Sequence, residues 1–306
     1  MRKMRMALGI DIGGTRVKWG LVSSTGEVLS QQAEPTPDSL PAMLAWLSKL
    51  DASEVVGIGI ACKGIVNPET TVIENLPGTL HYLECLNLAS QFPGIRVQAD
   101  NDARVAMAGE MRWGAAFGRR NVLMLTLGTG VGGAVLVEGR LLRGNRGVAG
   151  HVGHITVDPE GPPCICGNRG CLETYFSAPA IESAAHASVR RGVATCLTMD
   201  STCQDIFTAA AAGDDVARIV TSQAVRKLGG AIAGLIHLLD PEVIILGGQI
   251  TEAGAQLMKP LRAEFGWRTR LLLRRTVPVV RPKVTSGILG AAALVFNSES
   301  AANNAC

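Results

Sequence analysis

Three cysteines and one histidine lie close together in the sequence, at a spacing that suits a metal ion. Cys164, Cys166 and Cys171 fall within the stretch CICGNRGC, and His154 precedes them in the pattern H-x9-C-x-C-x4-C. Three thiolates and one imidazole form the closed tetrahedral ligand set that is typical of structural Zn²⁺. A disulfide between Cys164 and Cys166 has poor geometry and would leave one cysteine over. The sequence therefore predicts a structural zinc knuckle.

Glycine-rich turns follow three apolar strand patterns: LGIDIGGT (8–15), LTLGTGVG (125–132) and VIILGGQI (243–250). Such turns let backbone N–H groups approach phosphate oxygens, because no Cβ atom intervenes. Gly128, Gly130 and Gly133 satisfy G-x-G-x-x-G, but a strand pattern follows them, whereas a dinucleotide fingerprint requires a helix. There is also no P-loop motif. A tight hairpin that binds nothing is the alternative for any single turn, but three turns together favour phosphate binding.

Two carboxylates could act on a phosphate. Asp11 ends a buried strand pattern beside the first glycine turn, and Mg²⁺ takes one or two carboxylates together with substrate phosphates. Asn101 and Asp102 follow the strand pattern GIRVQA and open a helix pattern. Either residue could be a simple helix N-cap. The alternative is that Asp102 is a base that takes a hydroxyl proton while Asn101 holds the substrate.

Alternating strand and helix patterns must position these residues, and such alternation predicts α/β layers. The predicted elements are a hairpin over 17–34 turning at Thr25-Gly26, a helix over 39–50, buried strands over 54–61 and 94–100, a helix over 103–116, a strand-turn-strand over 121–142 and a buried strand over 241–248. A long helix is predicted from Asp214-Asp215 to about Leu239. Its predicted buried side consists of Val216, Ile219, Val220, Leu228, Ile232, Leu235 and Leu239.

The composition limits the possible classes of protein. The chain has 306 residues, with 47% hydrophobic and 18% charged residues, which is typical of an ordinary globular protein. A net charge of +3 gives no reason to expect a nucleic-acid or membrane partner. No signal-peptide or transmembrane pattern is present. We therefore expect a cytoplasmic protein with reduced cysteines, which again favours a metal over a disulfide.

The order of the motifs GIDIGGT, NDA, LGTGVGG, GHITVDPEGPPCICGNRGCLE and VIILGG resembles the ROK family of sugar kinases and repressors, within the actin-like ATPase superfamily. The resemblance covers nearly the whole chain, and its zinc segment is highly specific. It implies two ribonuclease H-like α/β domains with a central cleft, and a zinc knuckle in the second domain. We expect the first domain to take residues 1–117, completed by a C-terminal helix over 286–297, and the second to take 118–284.

The resemblance also implies a reaction and its residues. A sugar kinase of this family would transfer the γ-phosphate of Mg-ATP to the 6-hydroxyl of a hexose, with Asp102 as the general base, and would form a homodimer. His154 would direct one ring nitrogen to zinc and the other towards a sugar hydroxyl. The implied phosphate loops are Asp11, Gly13, Gly14, Thr15 and Gly128, Thr129, Gly130; the implied adenosine residues are Gly247 and Gly248; the implied sugar residues are Gly64, Asn101, Asp102, His151, His154 and Glu173.

Two residues depart from the family pattern. His151 stands where family glucokinases usually carry glutamate, and similar AGHIGH segments occur in N-acetylmannosamine kinases of the family. Lys63 stands where a proline commonly precedes Gly64; its ammonium either faces solvent or reaches an anionic or acylated sugar. Glucose and N-acetylmannosamine therefore stay open as substrates. A sugar-sensing regulator without catalysis is a third alternative, although such members carry a DNA-binding segment before the first glycine loop, which begins here at Gly9.

Overall fold

The computed structural model describes residues 4–76, 78–284 and 286–303, with side chains as far as residue 298. The strands are β1 (Met6–Ile12), β2 (Arg16–Ser23), β3 (Gln32–Pro35), β4 (Ile58–Cys62), β5 (Ile65–Val66), β6 (Ile73–Asn75), β7 (Val97–Asn101), β8 (Val122–Leu127), β9 (Val131–Val137), β10 (Arg140–Leu141), β11 (Val243–Gly247) and β12 (Val279–Val280). The helices are α1 (Leu40–Leu47), α2 (Asp102–Trp113), α3 (Glu173–Phe176), α4 (Ala178–Arg190), α5 (Cys203–Ala212), α6 (Asp215–Leu239), α7 (Ala255–Leu273) and α8 (Gly287–Asn303).

The chain divides into two compact units. The first comprises residues up to 120, residues 140–149 and residues from 282 onward; the second comprises 121–139 and 150–281. This division differs from the predicted one mainly at 140–149, which the prediction had included in the second domain. The reason is packing, because Leu141 contacts the core cluster that contains Val105 and Ala108. Arg143 also forms an ion pair with Asp100 in the same unit.

Unit 1 contains a mixed sheet with the strand order β3-β2-β1-β4-β7. Strand β2 pairs antiparallel with β1, while β1, β4 and β7 are parallel. The chain turns at Thr25-Gly26 as predicted, with Gly26 at φ 89°. The predicted buried strand over 54–61 begins later, at Ile58, and extends to Cys62. Parallel strands buried on both faces consist of nearly continuous apolar runs, which is why their sequence pattern is clear.

The C-terminal helix α8 packs directly on this sheet. A Cβ atom built on Gly59 of β4 would lie 1.8 Å from the backbone oxygen of Ala291, so only glycine allows this close approach. Ile288 and Phe296 of α8 are buried together with Ala7 of β1. The helix predicted over 286–297 is therefore present, and it continues to Asn303. It places Ile288 and Phe296 in the core of unit 1.

Unit 2 repeats the arrangement of an antiparallel hairpin followed by parallel strands. Strand β8 pairs antiparallel with β9 and parallel with β11, and β11 pairs parallel with β12. Together with unit 1, this confirms an α/β fold with mixed sheets.

The long helix α6 of unit 2 begins as predicted. The side chain of Asp214 accepts a hydrogen bond from the backbone of Ala217 at 2.9 Å, which satisfies a donor of the first turn. One predicted core residue is wrong: Ile219 is 56% exposed. It precedes the buried Val220 by one position, which rotates it about 100° around the helix, away from the core. Leu239, at the end of the helix, is only half-buried.

No helix in the described parts of the chain combines the length and the apolar character that a membrane span requires.

Candidate active site

The carboxyl ends of three parallel strands lie at one edge of the sheet in unit 1. In the strand register, Ile12 of β1 pairs with Cys62 of β4, which pairs with Asn101 of β7. The next residues along the chain, Gly13, Lys63 and Asp102, therefore follow the strands at the same edge. Ligands of open α/β sheets bind outside this edge. The structure thus brings together the first predicted phosphate loop and the predicted general base.

Asp11 lies at this edge and is half-buried. Burial raises the pKa of its carboxyl group; the nearby charge of Asp102 raises it too, whereas Lys18 and Lys63 lower it. A Cβ atom built on Gly287 would lie 2.3 Å from Asp11 Oδ2, so the carboxylate lies against the first residue of α8. A helix N-terminus favours negative charge. A cation would stabilise the ionised carboxylate further, which makes Asp11 a suitable Mg²⁺ ligand.

The glycine turn after β1 is fixed by a neighbouring threonine. Thr36 Oγ1 donates to the backbone oxygen of Gly13 at 2.7 Å, and the Thr36 backbone N–H donates to the oxygen of Thr15 at 3.0 Å. The tip of the turn, Gly14 and Thr15, is exposed. These contacts occupy carbonyl oxygens. The Gly13 N–H itself donates to the Arg16 oxygen at 3.1 Å, so the N–H groups of Gly14 and Thr15 are the ones that the turn can present to an anion.

Asn101 acts as a helix cap, as the simpler interpretation predicts. Its Oδ1 accepts from the backbone of Ala103 at 3.0 Å, and its Nδ2 donates to the backbone oxygen of Gly64 at 3.0 Å. It thereby connects two of the predicted sugar residues. Asp102 is the first residue of α2 and is exposed, and its Oδ1 also accepts from Ala103 at 2.8 Å. An exposed carboxylate on a fixed helix start has the access that a general base requires.

Sequence reasoning did not identify a buried ion-pair network beside Asp102. Arg104 is 1% exposed, and its Nε donates to Asp100 Oδ1 at 2.5 Å. Its Nη1 donates to the backbone oxygens of Gly147 and Ala149 at 2.7 and 3.3 Å. Asp100 Oδ2 accepts from Arg143 Nε at 3.1 Å. The network fixes segment 143–149 to the start of α2, and nothing in the local sequence pattern indicates it.

In unit 2, Glu173 supports the second predicted phosphate loop. Its Oε2 accepts from the backbone of Val131 at 2.8 Å, and it lies 2.6 Å from where a Cβ atom on Gly130 would be. Gly128 donates its N–H to the oxygen of Gly130 at 3.0 Å, which closes the turn around Thr129. The segment before His154 packs on the same loop, since a Cβ atom on Gly153 would lie 2.0 Å from the Val131 oxygen.

A cavity of about 350 Å³ opens beside this loop within unit 2. Its lining residues are Gly128, Thr129, Ala178, Pro179, Glu182, Thr202, Cys203, Gln204, Phe207, Gln249, Ile250, Glu252 and Ala253. Two of these are carboxylates, and no Lys, Arg or His is among them. The predicted adenosine residues Gly247 and Gly248 directly precede the lining segment 249–253 at the end of β11. Glu182 and Cys203 were not predicted, because their helices are far from the glycine motifs in sequence.

The four predicted metal ligands of unit 2 form one cluster. The ligand atoms of His154, Cys164, Cys166 and Cys171 all lie within 4.8 Å of one another. His154 Nδ1 is 3.6 Å from Cys164 Sγ, and Cys166 Sγ is 3.6 Å from Cys171 Sγ. A tetrahedron with Zn–S bonds of about 2.3 Å has edges of about 3.8 Å, so both the spacing and the donor set fit zinc.

Burial raises the pKa of the Cys171 thiol to about 12. A bound cation would favour the thiolate form of Cys171, and its binding would therefore release a proton.

Two of the predicted sugar residues, His151 and His154, lie side by side. The rings of His151 and His154 are stacked, with centroids 6.4 Å apart and planes 16° from parallel. The His154 backbone N–H donates to the His151 oxygen at 3.0 Å across a short 3-10 turn, Val152–His154. Because Nδ1 of His154 faces Cys164, its Nε2 is the atom that remains for another partner.

Known proteins are similar to this chain in sequence. The chain is 36% identical over 284 residues to a glucokinase of Halalkalibacterium halodurans, covering 85% of each chain. It is 32% identical over 255 residues to an N-acetylmannosamine kinase of Escherichia coli O9:H4, covering 79% of this chain and 82% of the other.

Solved structures of known proteins are similar to this chain in fold. A ROK family glucokinase from Streptomyces griseus, in complex with glucose and AMPPNP, matches with 31% identity and a TM-score of 0.78 over 94% of this chain and 98% of the other. A ROK family transcriptional regulator, a homologue of the E. coli MLC protein, matches with 29% identity and a TM-score of 0.85. That match covers 97% of this chain and 78% of the regulator.

The fold thus matches that of ROK sugar kinase structures, which are of the actin-like ATPase type. The sequence profile of the ROK family matches residues 7–298. The match includes both glycine loops, the NDA segment and the Cys/His cluster. The chain belongs to the ROK family.

Proposed function

We propose that this protein is an ATP-dependent sugar kinase that transfers the γ-phosphate to the 6-hydroxyl of a hexose, with Asp102 as the general base. The observation that carries the proposal is the set of residues that lie together at the carboxyl edge of the sheet in unit 1. There, an exposed Asp102 on a fixed helix start lies beside Asp11 and the first glycine turn. Related proteins named glucokinase and N-acetylmannosamine kinase support it.

Phosphoryl transfer requires positioning and neutralisation of charge rather than covalent chemistry by the protein. In the proposed reaction, the Asp102 carboxylate takes the proton of the attacking sugar hydroxyl. The N–H groups of Gly14 and Thr15, and those of Thr129 and Gly130, would bind phosphate oxygens, while the N–H groups of Gly13 and Gly128 close the two turns. Mg²⁺ bound with ATP would neutralise phosphate charge, and Asp11 would hold it. The donor is therefore Mg-ATP.

The nucleoside part of ATP would occupy the cavity of unit 2. Its carboxylates, Glu182 and Glu252, accept hydrogen bonds and therefore suit the hydroxyl or amino groups of a nucleoside better than further phosphates. Gly128 and Thr129 form part of its lining, so the phosphates would continue directly into the second loop. Gly247 and Gly248 would let the backbone that leads into the cavity lie close to adenosine.

In unit 1, Gly64, Asn101 and Asp102 are the proposed sugar contacts; in unit 2, they are His151, His154 and Glu173. Glu173 Oε2 serves the glycine loop, which leaves Oε1 as its acceptor for a sugar hydroxyl. His154 would offer Nε2. Zinc would be structural, held by His154, Cys164, Cys166 and Cys171, and would fix the orientation of the His154 ring.

Two other functions within the family remain testable alternatives. The neighbouring His151 and His154 rings favour an N-acetylmannosamine kinase as the second candidate, because a histidine can donate where a glutamate only accepts. The fold match to a transcriptional regulator raises the third, a non-catalytic sugar sensor.

We also propose a homodimer, because α7 exposes Trp267, Leu271 and Leu272.

The experiment that tests the function is a coupled ADP-release assay with Mg-ATP over a panel of hexoses and N-acetylhexosamines. We expect ADP release that depends on one of these sugars and a product phosphorylated at the 6-hydroxyl, which phosphorus-coupled NMR identifies. Sugar binding by calorimetry without any sugar-dependent ADP release would instead identify a sensor. Phosphorylation at another hydroxyl would contradict the proposed regiochemistry.

A substitution of His151 tests which sugar the protein prefers. We expect His151→Glu to change the ratio of kcat/KM between glucose and N-acetylmannosamine by about tenfold or more, because specificity is differential binding of transition states. A site built for one hydrogen-bonding partner penalises a sugar that leaves its polar groups unpaired. The KM for ATP should stay unchanged, and steady-state kinetics with both sugars give all three quantities.

The matched control is His237→Glu, the same substitution at an exposed position of α6. It should leave the ratio of the two sugars unchanged. If His151→Glu changes both sugars equally, or neither, in a well-folded protein, His151 does not contact the sugar.

A further inference from the structure

Lys63 occupies a central position at the functional edge of unit 1. It directly follows Cys62, the last residue of β4, and β4 lies between β1 and β7. On one side the chain leaves β1 at Ile12 into the glycine turn, and on the other it leaves β7 at Asn101 into Asp102. Lys63 therefore follows the strand between the phosphate loop and the general base.

The charge of Lys63 acts on this edge. Its side chain is exposed, and its ammonium lowers the pKa of the Asp11 carboxyl, which burial raises. Among the ion pairs that the described residues form, none includes Lys63. The ammonium is therefore within electrostatic range of the carboxylate of Asp11 without being bound to it.

The backbone that carries Lys63 is held in place. The oxygen of Gly64 accepts from Asn101 Nδ2 at 3.0 Å, and Gly64 adopts a φ of 79°, which favours glycine. A long, flexible side chain on a fixed backbone can move its charge over a few ångströms towards a ligand at the same edge.

We propose that Lys63 is a catalytic residue whose ammonium contacts the γ-phosphoryl group while that group passes from ATP to the sugar. This inference rests on the proposed kinase function. The sugar oxygen forms a bond to the γ-phosphorus, and the bond from that phosphorus to the β–γ bridging oxygen breaks, leaving its electrons on ADP. The hydroxyl proton goes to Asp102. Lys63 neither gains nor loses a proton; it neutralises charge on the equatorial oxygens.

The position favours this role over recognition of an anionic sugar. In the proposed reaction the phosphoryl group moves from the first phosphate loop to the acceptor hydroxyl at the base, and Lys63 follows the strand between Gly13 and Asp102. Charge in this transition state is spread over the three equatorial oxygens, which a positive charge stabilises. A group that binds the phosphoryl only during transfer raises kcat, whereas a group that binds the sugar lowers KM.

The test is Lys63→Met, which keeps the apolar length of the side chain and removes the charge. We expect kcat to fall by about 10²–10³-fold, as when one fixed donor to a transition-state oxyanion is lost, with the sugar KM unchanged. Lys63→Arg, which keeps the charge, should recover part of the loss. Because Lys63 is exposed, we expect both variants to retain the melting temperature of the parent protein.

The matched control is Lys18→Met. Lys18 pairs opposite Asp11 on β2, and its charge lowers the pKa of Asp11 more strongly than that of Lys63 does. If Lys63 acted only through the ionisation of Asp11, Lys18→Met would reduce kcat at least as much. We expect it to leave kcat nearly unchanged, because β2 lies on the side of β1 away from β4 and β7.

A second measurement uses ADP with aluminium fluoride, which imitates the transferring phosphoryl group. By calorimetry in the presence of the sugar, Lys63→Met should bind ADP as the parent does but lose the added affinity that aluminium fluoride gives. An unchanged kcat, or a raised sugar KM with kcat preserved, overturns the inference while the parent enzyme stays active. If the parent releases no sugar-dependent ADP, the proposed function itself fails and the inference fails with it.

Discussion

Asp102→Asn is expected to lose nearly all sugar-dependent ADP release, with kcat lowered by about 10²–10⁴-fold, the usual cost of removing a general base. The physical reason is that the asparagine amide does not accept a proton from the attacking hydroxyl. Its oxygen can still accept the hydrogen bond that Asp102 Oδ1 accepts from the Ala103 backbone, so the start of α2 should persist. Steady-state kinetics and a thermal melt of the purified variant measure both effects.

The control for this substitution is Asp215→Asn. Asp215 is likewise an exposed aspartate at the first position of a helix, α6, directly after its N-cap. It lies at no predicted functional position, so kcat should not change. If Asp102→Asn keeps nearly full activity, Asp102 is no more than the first residue of a helix. A lowered melting temperature together with lost activity would point to folding rather than to catalysis.

Much of this site could be predicted from the sequence, because its residues follow buried strands. The apolar runs of β1, β8 and β11 are short and continuous, and a glycine turn ends each of them, so the strand ends and the polar residues beyond them could be located together. The Cys/His cluster could be predicted for a different reason. Its four ligands lie within eighteen residues, and thiolate and imidazole chemistry limits what such a set binds.

Other features depend on residues that are distant in sequence. The unit 2 cavity joins Thr129, Glu182, Cys203 and Ile250, which only the packed fold brings together. The placement of 140–149 depends on the packing of Leu141 and also on the buried guanidinium of Arg104, which donates to the oxygens of Gly147 and Ala149. Neither leaves a periodic pattern in the sequence.

Helix α5 shows a related difficulty. It was not predicted, although its buried side includes the large apolar residues Ile206 and Phe207; the other buried positions, Cys203 and Ala209, are small. Ile219 shows the converse, because a large apolar residue on α6 faces solvent. Whether a residue of these helices is buried therefore depends on the side of the helix on which it lies, and not on its apolar character alone.

Cys166→Ser is expected to lower both the zinc content and the stability of the protein. Cys166 is the exposed member of the cluster, so serine removes a ligand without leaving a cavity in the core. A structural zinc contributes roughly 10 kcal/mol or more to folding in small zinc domains. At about 2–4 °C per kcal/mol for a domain of this size, even partial loss should lower Tm by about 10 °C. Elemental analysis of the parent should give one zinc per chain.

Cys196→Ser controls for the loss of an exposed thiol outside the cluster, and it should leave both zinc content and Tm unchanged. Activity adds an independent measure, because the ring of His154 is both a predicted metal ligand and a proposed sugar contact. Loss of zinc should therefore raise the sugar KM at temperatures well below the melting transition, since the ring loses its fixed orientation. A parent protein that contains no zinc and is fully stable would contradict the knuckle. A Cys166→Ser variant with lowered Tm but an unchanged sugar KM would separate the structural role of the cluster from any role in holding the sugar.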